Sequence, residues 1–161
     1  MVWFCLECWS EVSEGAVTCP SCGASLTEAR ARSFPQKLIA ALRHPVPETA
    51  EFAAQILGEL QTQEAIPALI ETLSRSSDPY LLAAVARSLG MLQATEAVPA
   101  LRTVLCSSYL IARIAAARAL GSIGTPEALV ALEEARQDRS ENVRQAIEEQ
   151  LTKHRTLPPS S

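Results

Sequence analysis

The 161-residue sequence has few aromatic residues, few histidines and no long apolar run. Aromatic residues make up 4% of the chain and hydrophobic residues 48%, so the apolar content is mostly alanine, leucine, isoleucine and valine. These residues are typical of closely packed helices. No window approaches the roughly 18 consecutive apolar residues of a membrane span, and no basic segment precedes an apolar run as in a secretion signal. The composition predicts an all-α protein of the cytoplasm without membrane contact.

A net positive charge is also absent, since the formal net charge at pH 7 is -4. Such a chain has no global electrostatic attraction to nucleic acid or anionic membrane. Residues 1–29 contain four glutamates and neither lysine nor arginine. Nucleic acid is therefore not an expected partner.

Recognisable catalytic groups are scarce. The two histidines, His44 and His154, lie beside no second candidate residue in a known catalytic arrangement. His44 stands between Arg43 and Pro45, which indicates a helix C-terminus. No phosphate-binding glycine loop, metalloprotease helix or nucleophile elbow is present. We expect no catalytic residue, no cofactor-binding residue and no enzymatic activity.

Four of the five cysteines stand in two close pairs. Residues 3–24 read WFCLECWSEVSEGAVTCPSCGA, in which ten residues separate two Cys-x2-Cys pairs: Cys5, Cys8, Cys19 and Cys22. A two-residue gap lets both sulfurs of a pair approach one ion, and four thiolates form a closed tetrahedral site. The pattern predicts a structural Zn²⁺ site. Iron is the alternative ion because it uses the same turns, and buried or disulfide-linked cysteines are the alternative to metal. Cys106, at the end of an apolar helix, is predicted to be buried.

The two cysteine turns differ in one residue. Gly23 can adopt the positive φ that such a turn often needs, whereas Trp9 holds the corresponding place in the first turn. The sequence pattern therefore does not define the geometry around Cys8. The segment resembles the short zinc-ribbon modules at the N-termini of many bacterial proteins, and we expect a zinc ribbon over residues 1–27 and a linker over 28–33. Its aromatic residues are expected to dock on the helices or on a partner: Trp3, Phe4 and Trp9.

The rest of the chain repeats itself. LGELQTQEAIPALIETL begins at Leu57, LGMLQATEAVPALRTVL at Leu89, and a third copy, LGSIGTPEALVALEEAR, at Leu120. Self-similarity at this period indicates a solenoid, in which each unit covers the apolar face of the next. The repeated glycines Gly58, Gly90 and Gly121 are expected to end the first helix of each unit with a left-handed cap.

A second helix follows in each unit. Thr62, Thr95 and Thr125 are expected near its N-cap, and Pro67 and Pro99 within its first turn. Residues 34–45 read as one more second helix and 140–151 as one more first helix, which gives about eight helices over residues 34–152. Residues 153–161 are expected to form a disordered tail.

These units resemble HEAT-like repeats of the kind found in phycobilisome lyases and in many bacterial scaffold proteins. The family pattern is approximately Asp-Pro-x-x-Val-Arg-x-x-Ala-Ala-x-Ala-Leu-Gly, and SDPYLLAAVARSLG keeps Asp78, Pro79 and Gly90 of it. The resemblance implies an α-α superhelix over residues 34–152.

In this family an arginine and a loop aspartate tie neighbouring units together. Arg113 and Arg144 hold the arginine position, and Asp138 is the matching aspartate. Leu82 and Ala50 replace the arginine in the other two units, where we expect apolar packing instead.

The resemblance also implies that the second helices line a concave surface. Charges of both signs lie there: Lys37, Arg43, Glu71, Arg75, Arg102, Glu133, Glu134 and Arg136. A mixed surface favours a protein partner. We expect a non-enzymatic protein-protein interaction scaffold, with the ribbon adding to its surface. Two alternatives stay open: a phycobilin lyase-like chromophore attachment factor, which the resemblance implies, and nucleic-acid binding through the ribbon.

Overall fold

The computed structural model describes residues 3–156, which form a two-stranded hairpin followed by nine α-helices. Strands β1 (Trp3–Phe4) and β2 (Glu11–Val12) are antiparallel, with Trp3 opposite Val12. The helices are α1 (Leu26–Ala31), α2 (Phe34–Ala41), α3 (Pro47–Glu59), α4 (Ile66–Arg75), α5 (Pro79–Met91), α6 (Val98–Leu105), α7 (Leu110–Ile123), α8 (Pro126–Glu134) and α9 (Glu141–Thr156). The mainly helical fold and the eight helices of the repeat region are confirmed.

Helices α3, α5, α7 and α9 are the first helices of successive units and pack side by side in chain order. The second helices, α2, α4, α6 and α8, pack against this row. Equivalent leucines of the units are fully buried: Leu57, Leu89 and Leu120 on the first helices, and Leu69, Leu101 and Leu132 on the second. One apolar core therefore runs through all the units, as expected of stacked repeats.

The start of the second helix differs between units. In α8, the Thr125 side chain accepts a hydrogen bond from the backbone N–H of Ala128 at 3.2 Å, as predicted for an N-cap. In the two preceding units a short 3-10 helix comes first, over Gln63–Ala65 and Thr95–Ala97. Thr62 holds the N-cap position of the first without a side-chain hydrogen bond, and Thr95 is the first residue of the second. A threonine therefore lies near the start of each of these helical segments, as predicted, and of the three only Thr125 accepts a capping hydrogen bond with its side chain.

The repeated glycines lie inside the first helices instead of ending them. A Cβ atom added to Gly58 would lie 2.9 Å from Ser88 Cα, and one added to Gly90 would lie 2.8 Å from Ala119 Cα. Real Cβ atoms do not approach other atoms so closely. The prediction of a left-handed cap at these glycines is wrong, because glycine is needed there for close approach of adjacent first helices.

In the repeats, the left-handed residues lie beyond the last turns of the first helices. They are Gln61 (φ 53°), Gln93 (φ 53°) and Gly124 (φ 64°). The Gln61 side-chain amide donates to the carbonyls of Gly58, at 3.0 Å, and Met91, at 3.2 Å. This side chain satisfies helix-terminal carbonyls of two neighbouring units, which offsets the cost of the left-handed backbone.

A buried ion pair joins the third unit to the fourth. Arg113, 3% exposed, donates from Nε to Asp138 Oδ2 at 3.0 Å and from Nη2 to Oδ1 at 3.2 Å. Its Nη1 donates to two backbone carbonyls in the loop before α7. Arg144 donates to the backbone carbonyl of Asp138 at 2.7 Å. The expected tie between arginine and aspartate is confirmed here, and the apolar residues at the same position in the other units are buried: Ala50 and Leu82.

Two segments differ from their predicted roles. Helix α1 occupies most of the predicted linker, 28–33, because Leu26 and Ala29 are buried against their surroundings. Helix α9 continues to Thr156, so residues 153–156 are helical rather than part of a disordered tail. His154 is held there, with Nε2 2.6 Å from the carbonyl oxygen of Gly121. Residues 157–161 lie outside the described residues. Within 3–156, no helix combines the length and apolar character needed to cross a membrane.

Candidate metal centre and surfaces of the repeats

The four paired cysteines meet at one point. Their Sγ atoms all lie within 4.8 Å of one another, and the Cys5–Cys22 and Cys8–Cys19 sulfur separations are both 3.7 Å. Four sulfurs bound at about 2.3 Å to one zinc ion would be about 3.8 Å apart in a tetrahedron. None of the four is in a disulfide. The four thiols are therefore within metal-binding distance, and their spacing fits a tetrahedral thiolate site.

The two cysteine turns have the same backbone geometry. In the first, the N–H of Trp9 donates to the carbonyl of Cys5 at 2.9 Å, and in the second the N–H of Gly23 donates to the carbonyl of Cys19 at 2.9 Å. Trp9 has φ 60° and Gly23 has φ 76°. The turn around Cys8 thus matches the turn around Cys22, because Trp9 adopts the left-handed conformation that glycine adopts in the second turn.

Contact with the helices accounts for the position of Trp9. Its ring lies against the His44 ring in an edge-to-face arrangement, with centroids 4.4 Å apart. His44 Nδ1 accepts a hydrogen bond from the backbone N–H of Val46 at 3.0 Å, which orients the imidazole just beyond α2. Edge-to-face aromatic contacts are stabilising by about 0.5–1.5 kcal/mol. Trp9 therefore docks the ribbon on the first repeat, whereas Trp3 and Phe4 stay 37% and 55% exposed.

Ionic contacts add to this junction. Glu7 of the ribbon forms an ion pair with Arg32, and the Arg30 guanidinium lies 5.6 Å from the centroid of the Trp3 ring. A groove of about 540 Å³ runs between the ribbon and α2, with Leu6 and Ile39 among its lining residues. Side chains of the ribbon and of the first repeat thus line one continuous groove.

The pKa values of three of the clustered thiols are shifted. Hydrogen bonds from the side chain and backbone of Ser10 lower the pKa of Cys8 to about 6. The pKa of Cys19 is lowered, chiefly by a backbone hydrogen bond from Cys22. Although the backbone N–H of Ala24 lowers the pKa of Cys22, contact with the other thiols and burial raise it to about 12. Thiolates this close repel one another, and a divalent cation bound among them would remove that repulsion.

Backbone donors also face the sulfurs. The N–H of Glu7 donates to Cys5 Sγ at 3.4 Å, as such donors do when they offset the negative charge of a metal thiolate. Cys5 and Cys19 are buried, whereas Cys8 and Cys22 reach the surface. Cys106 lies outside this cluster and is exposed at the end of α6, so the prediction that it is buried is wrong.

Each of the two helix rows has an exposed side, and ion pairs cover one of these sides. We call the exposed side of α3, α5, α7 and α9 the first-helix face, and that of α2, α4, α6 and α8 the second-helix face. Most charges predicted to mark the second-helix face pair with one another, often between units: Arg43 with Glu71 (2.8 Å), Arg75 with Glu71 (3.3 Å), Arg102 with Glu134 (2.6 Å) and Arg136 with Glu133 (3.1 Å). These side chains link the repeats across this face.

Sequence reasoning missed the first-helix face. Arg87 and Arg118 are exposed there at equivalent positions of α5 and α7. Tyr80 and Ile111, 63% and 37% exposed, lie seven residues before them on the same helices. The signal was present in the sequence, since both pairs are spaced by the 31 residues that also separate Gly90 from Gly121.

Comparisons with known proteins agree with the repeat architecture. The family described as HEAT repeats matches residues 35–109 and, overlapping them, 66–152. A comparison with curated protein sequences found no significant match. Among solved structures, the chain is similar to human deoxyhypusine hydroxylase in complex with glycerol, with 30% sequence identity and a TM-score of 0.63. That match covers 75% of this chain and 43% of the hydroxylase chain, so this chain spans less than half of that protein's length.

A second similar structure is the complex of CpcE and CpcF of phycocyanin lyase from Nostoc sp. PCC7120. The identity is 22% and the TM-score 0.55, over 89% of this chain and 71% of that chain. At this identity the likeness shows the fold. Because the family match extends over most of the sequence, from residue 35 to residue 152, the chain belongs to the HEAT repeat family.

Proposed function

We propose that this protein is a non-enzymatic interaction scaffold, in which the HEAT repeats bind a protein partner and a zinc ribbon extends the surface of the first repeat. The carrying observation is the continuous stack of eight helices, α2–α9, with one core and two exposed faces. Stacked repeats of this kind present extended surfaces to which other proteins bind. Fold alone does not fix a function, so the support comes from the side chains on those faces.

Large apolar side chains remain exposed on the repeats. They include Phe52 on α3, Tyr80 on α5, Ile111 on α7 and Val130 on α8. Protein interfaces combine an apolar centre with a polar rim, and these residues have charged neighbours on the same faces. This distribution favours a protein partner over a nucleic acid, which would favour clustered cations.

The metal of the ribbon is proposed to be a structural Zn²⁺ held by the four clustered thiols: Cys5, Cys8, Cys19 and Cys22. Four thiolates fill a tetrahedral site and leave no open position, which is typical of structural zinc. The reducing cytoplasm, where we place the protein, keeps such thiols available for metal. Elemental analysis of the purified protein tests this proposal. One zinc per chain is expected, whereas one iron per chain with strong visible absorption would assign the site to iron.

The main test is capture followed by reconstitution. The full chain is used as bait in a lysate of its host, and a recovered protein is then produced separately and mixed with the purified chain. A complex of fixed stoichiometry in analytical ultracentrifugation is expected. Failure to recover or reconstitute any protein complex over a range of salt concentrations would contradict the proposal.

Two further arms test the alternatives with the same preparation. In the first, the chain is mixed with a bilin and an apo-phycobiliprotein. A spectral shift that requires the chain would favour a lyase-like activity, since one of the similar structures is a phycocyanin lyase complex. In the second, retention on DNA that weakens steeply with salt would favour nucleic-acid binding. The proposal predicts neither result.

A further inference from the structure

The first-helix face has a groove between α5 and α7. Its volume is about 340 Å³, and Tyr80, Ala83, Ile111 and Ile114 contribute apolar lining. Arg87, Arg118 and Glu51 line the same groove. It therefore combines an apolar floor with two cations and one carboxyl group, in a chain whose net charge is -4.

The groove is built from equivalent positions of two repeats. Residues 80, 83 and 87 of α5 correspond to 111, 114 and 118 of α7, with the spacing i, i+3 and i+7 that places side chains on one side of a helix. At 1.5 Å per residue, the seven residues from Tyr80 to Arg87 span about 10 Å. One end of the groove is thus apolar, and the other end, about two helical turns away, is basic.

Both arginines of the groove lack the partners that the other arginines have. Two of the fourteen basic residues are lysines, which leaves twelve arginines, all within 3–156. Eight of them form ion pairs. Arg139 donates to the carbonyl of Ser108, and Arg30 lies over Trp3. Among the described residues, 3–156, Arg87 and Arg118 are the two remaining arginines, and they form neither a hydrogen bond nor an ion pair.

Two carboxyl groups lie near these arginines without forming an ion pair within 4.0 Å. In the groove itself, burial and two acidic neighbours raise the pKa of Glu51 on α3, and Arg87 is near enough to oppose that rise. Glu149 on α9 lies beside Arg118 in an adjacent depression and accepts a hydrogen bond from Gln145. The guanidinium groups in the centre of the face therefore stay available for carboxylates of another molecule.

We infer that this groove binds an acidic amphipathic segment of a partner protein. Apolar side chains of the segment would cover Tyr80, Ile111 and Ile114, and carboxylates about two helical turns away would meet Arg87 and Arg118. Arginine suits this role because its planar guanidinium accepts a carboxylate in a two-pronged arrangement. The inference rests on the proposed protein-binding function and specifies the face and the chemistry of the partner.

A peptide selection tests the inference. A phage-displayed library of random 16-residue peptides is selected against the purified full chain, and enriched peptides are synthesised for measurement of Kd by fluorescence anisotropy. The variant Arg87→Glu/Arg118→Glu reverses both charges of the groove. The matched control, Arg75→Glu/Arg102→Glu, makes the same change of net charge on the second-helix face. Circular dichroism verifies that both variants retain the helical fold.

Enriched peptides are expected to carry acidic residues about two helical turns from apolar residues. The groove variant should weaken their binding by about tenfold or more, since it replaces two attractions by two repulsions, while the control should change Kd by less than about threefold. Absence of enrichment, enrichment of peptides without acidic residues, or equal binding by the groove variant would overturn the inference. If the control variant weakened peptide binding and the groove variant did not, the inference would be overturned, while the proposed protein-binding function would remain in place.

Discussion

The ribbon and the repeats differ in how much apolar surface each can bury. The ribbon buries four residues around its thiol cluster, namely Cys5, Val12, Cys19 and Leu26. The repeats bury a core that runs from Leu42 to Leu151 through every unit. A hairpin of two-residue strands has too small a core to fold independently, whereas stacked helices need no metal or disulfide. The difference teaches that one chain combines two sources of stability.

Both regions nevertheless use left-handed residues other than glycine. Such a backbone costs on the order of 1–2 kcal/mol per residue and persists where its surroundings hold it. In the repeats, the Gln93 side-chain amide donates to the carbonyl of Gly90 at 2.9 Å. In the ribbon, Trp9 is held by its contact with His44 and by the cysteine turn. Both regions therefore hold these turns with local hydrogen bonds and, at Gln61 and Trp9, with a contact to a residue far away in the sequence.

The largest expected effect comes from removing a thiol. Cys19→Ser should unfold the ribbon and abolish stoichiometric metal binding, because a small ribbon without its metal has little to hold it. The repeats should stay folded. Both tryptophans of the chain, Trp3 and Trp9, lie in the ribbon, so tryptophan fluorescence reports on the ribbon and far-UV circular dichroism on the helices.

Cys106→Ser is the matched control, since that cysteine is exposed and outside the cluster. It should leave both signals and the metal content unchanged. Loss of the helical signal in Cys19→Ser would contradict the separation of the two sources of stability.

The next largest effect concerns the repeats. Arg113→Ala should lower the free energy of unfolding by about 3 kcal/mol, because it leaves Asp138 without its partner at a site where both side chains are largely buried. Tryptophan fluorescence of the folded protein should not change. Urea unfolding followed by circular dichroism measures the loss.

Arg102→Ala provides the comparison. It removes an ion pair with Glu134 in which both side chains are about half exposed, and the expected loss is below about 1 kcal/mol. Equal losses in the two variants would show that burial of the Arg113–Asp138 pair contributes nothing.

A smaller effect should separate the two regions without unfolding either. Trp9→Gly supplies a residue that adopts positive φ without strain, so the metal should stay bound. The aromatic contact with His44 would be lost. In NMR spectra the ring signals of His44 should therefore shift, while those of His154, at the far end of the repeats, should not. Unchanged His44 signals would mean that Trp9 does not dock the ribbon in solution.

The smallest effect is a pH dependence on the second-helix face. A hydrogen bond from Arg43 is the main reason that the pKa of Glu71 lies below its ordinary value. A lowered folded-state pKa stabilises the fold above the ordinary carboxyl pKa, and this contribution is lost as pH falls through the folded-state pKa. Arg43→Gln should bring the Glu71 pKa back towards its ordinary value in an NMR titration. An unchanged pKa would show that this link between repeats does not persist in solution.

Much of the fold follows from the sequence because repetition makes its signals redundant. The period of the glycines, the early prolines Pro67 and Pro99, and the paired cysteines each predicted an element that the structure contains. The same glycines were misassigned as helix ends, because a sequence does not show that Ser88 and Ala119 approach Gly58 and Gly90 from the next unit. Close approach is a tertiary property that a pattern within one unit cannot reveal.

Other features were missed for the same reason. Trp9 in a left-handed turn depends on His44, which is 35 residues away in the chain. The available arginines of the groove are recognised only after the pairs made by the other arginines are known. Propensity describes each residue alone, whereas these features depend on which neighbours the fold supplies.

Hydrogen exchange of the full chain, measured with bound metal and again after chelation, tests the two sources of stability most directly. Chelation should remove protection of backbone amides in the ribbon, including those of Cys5 and Cys19, and leave the amides of α5 and α7 protected to the same extent. Loss of protection throughout α5 and α7, or ribbon amides that stay protected without metal, would contradict the account.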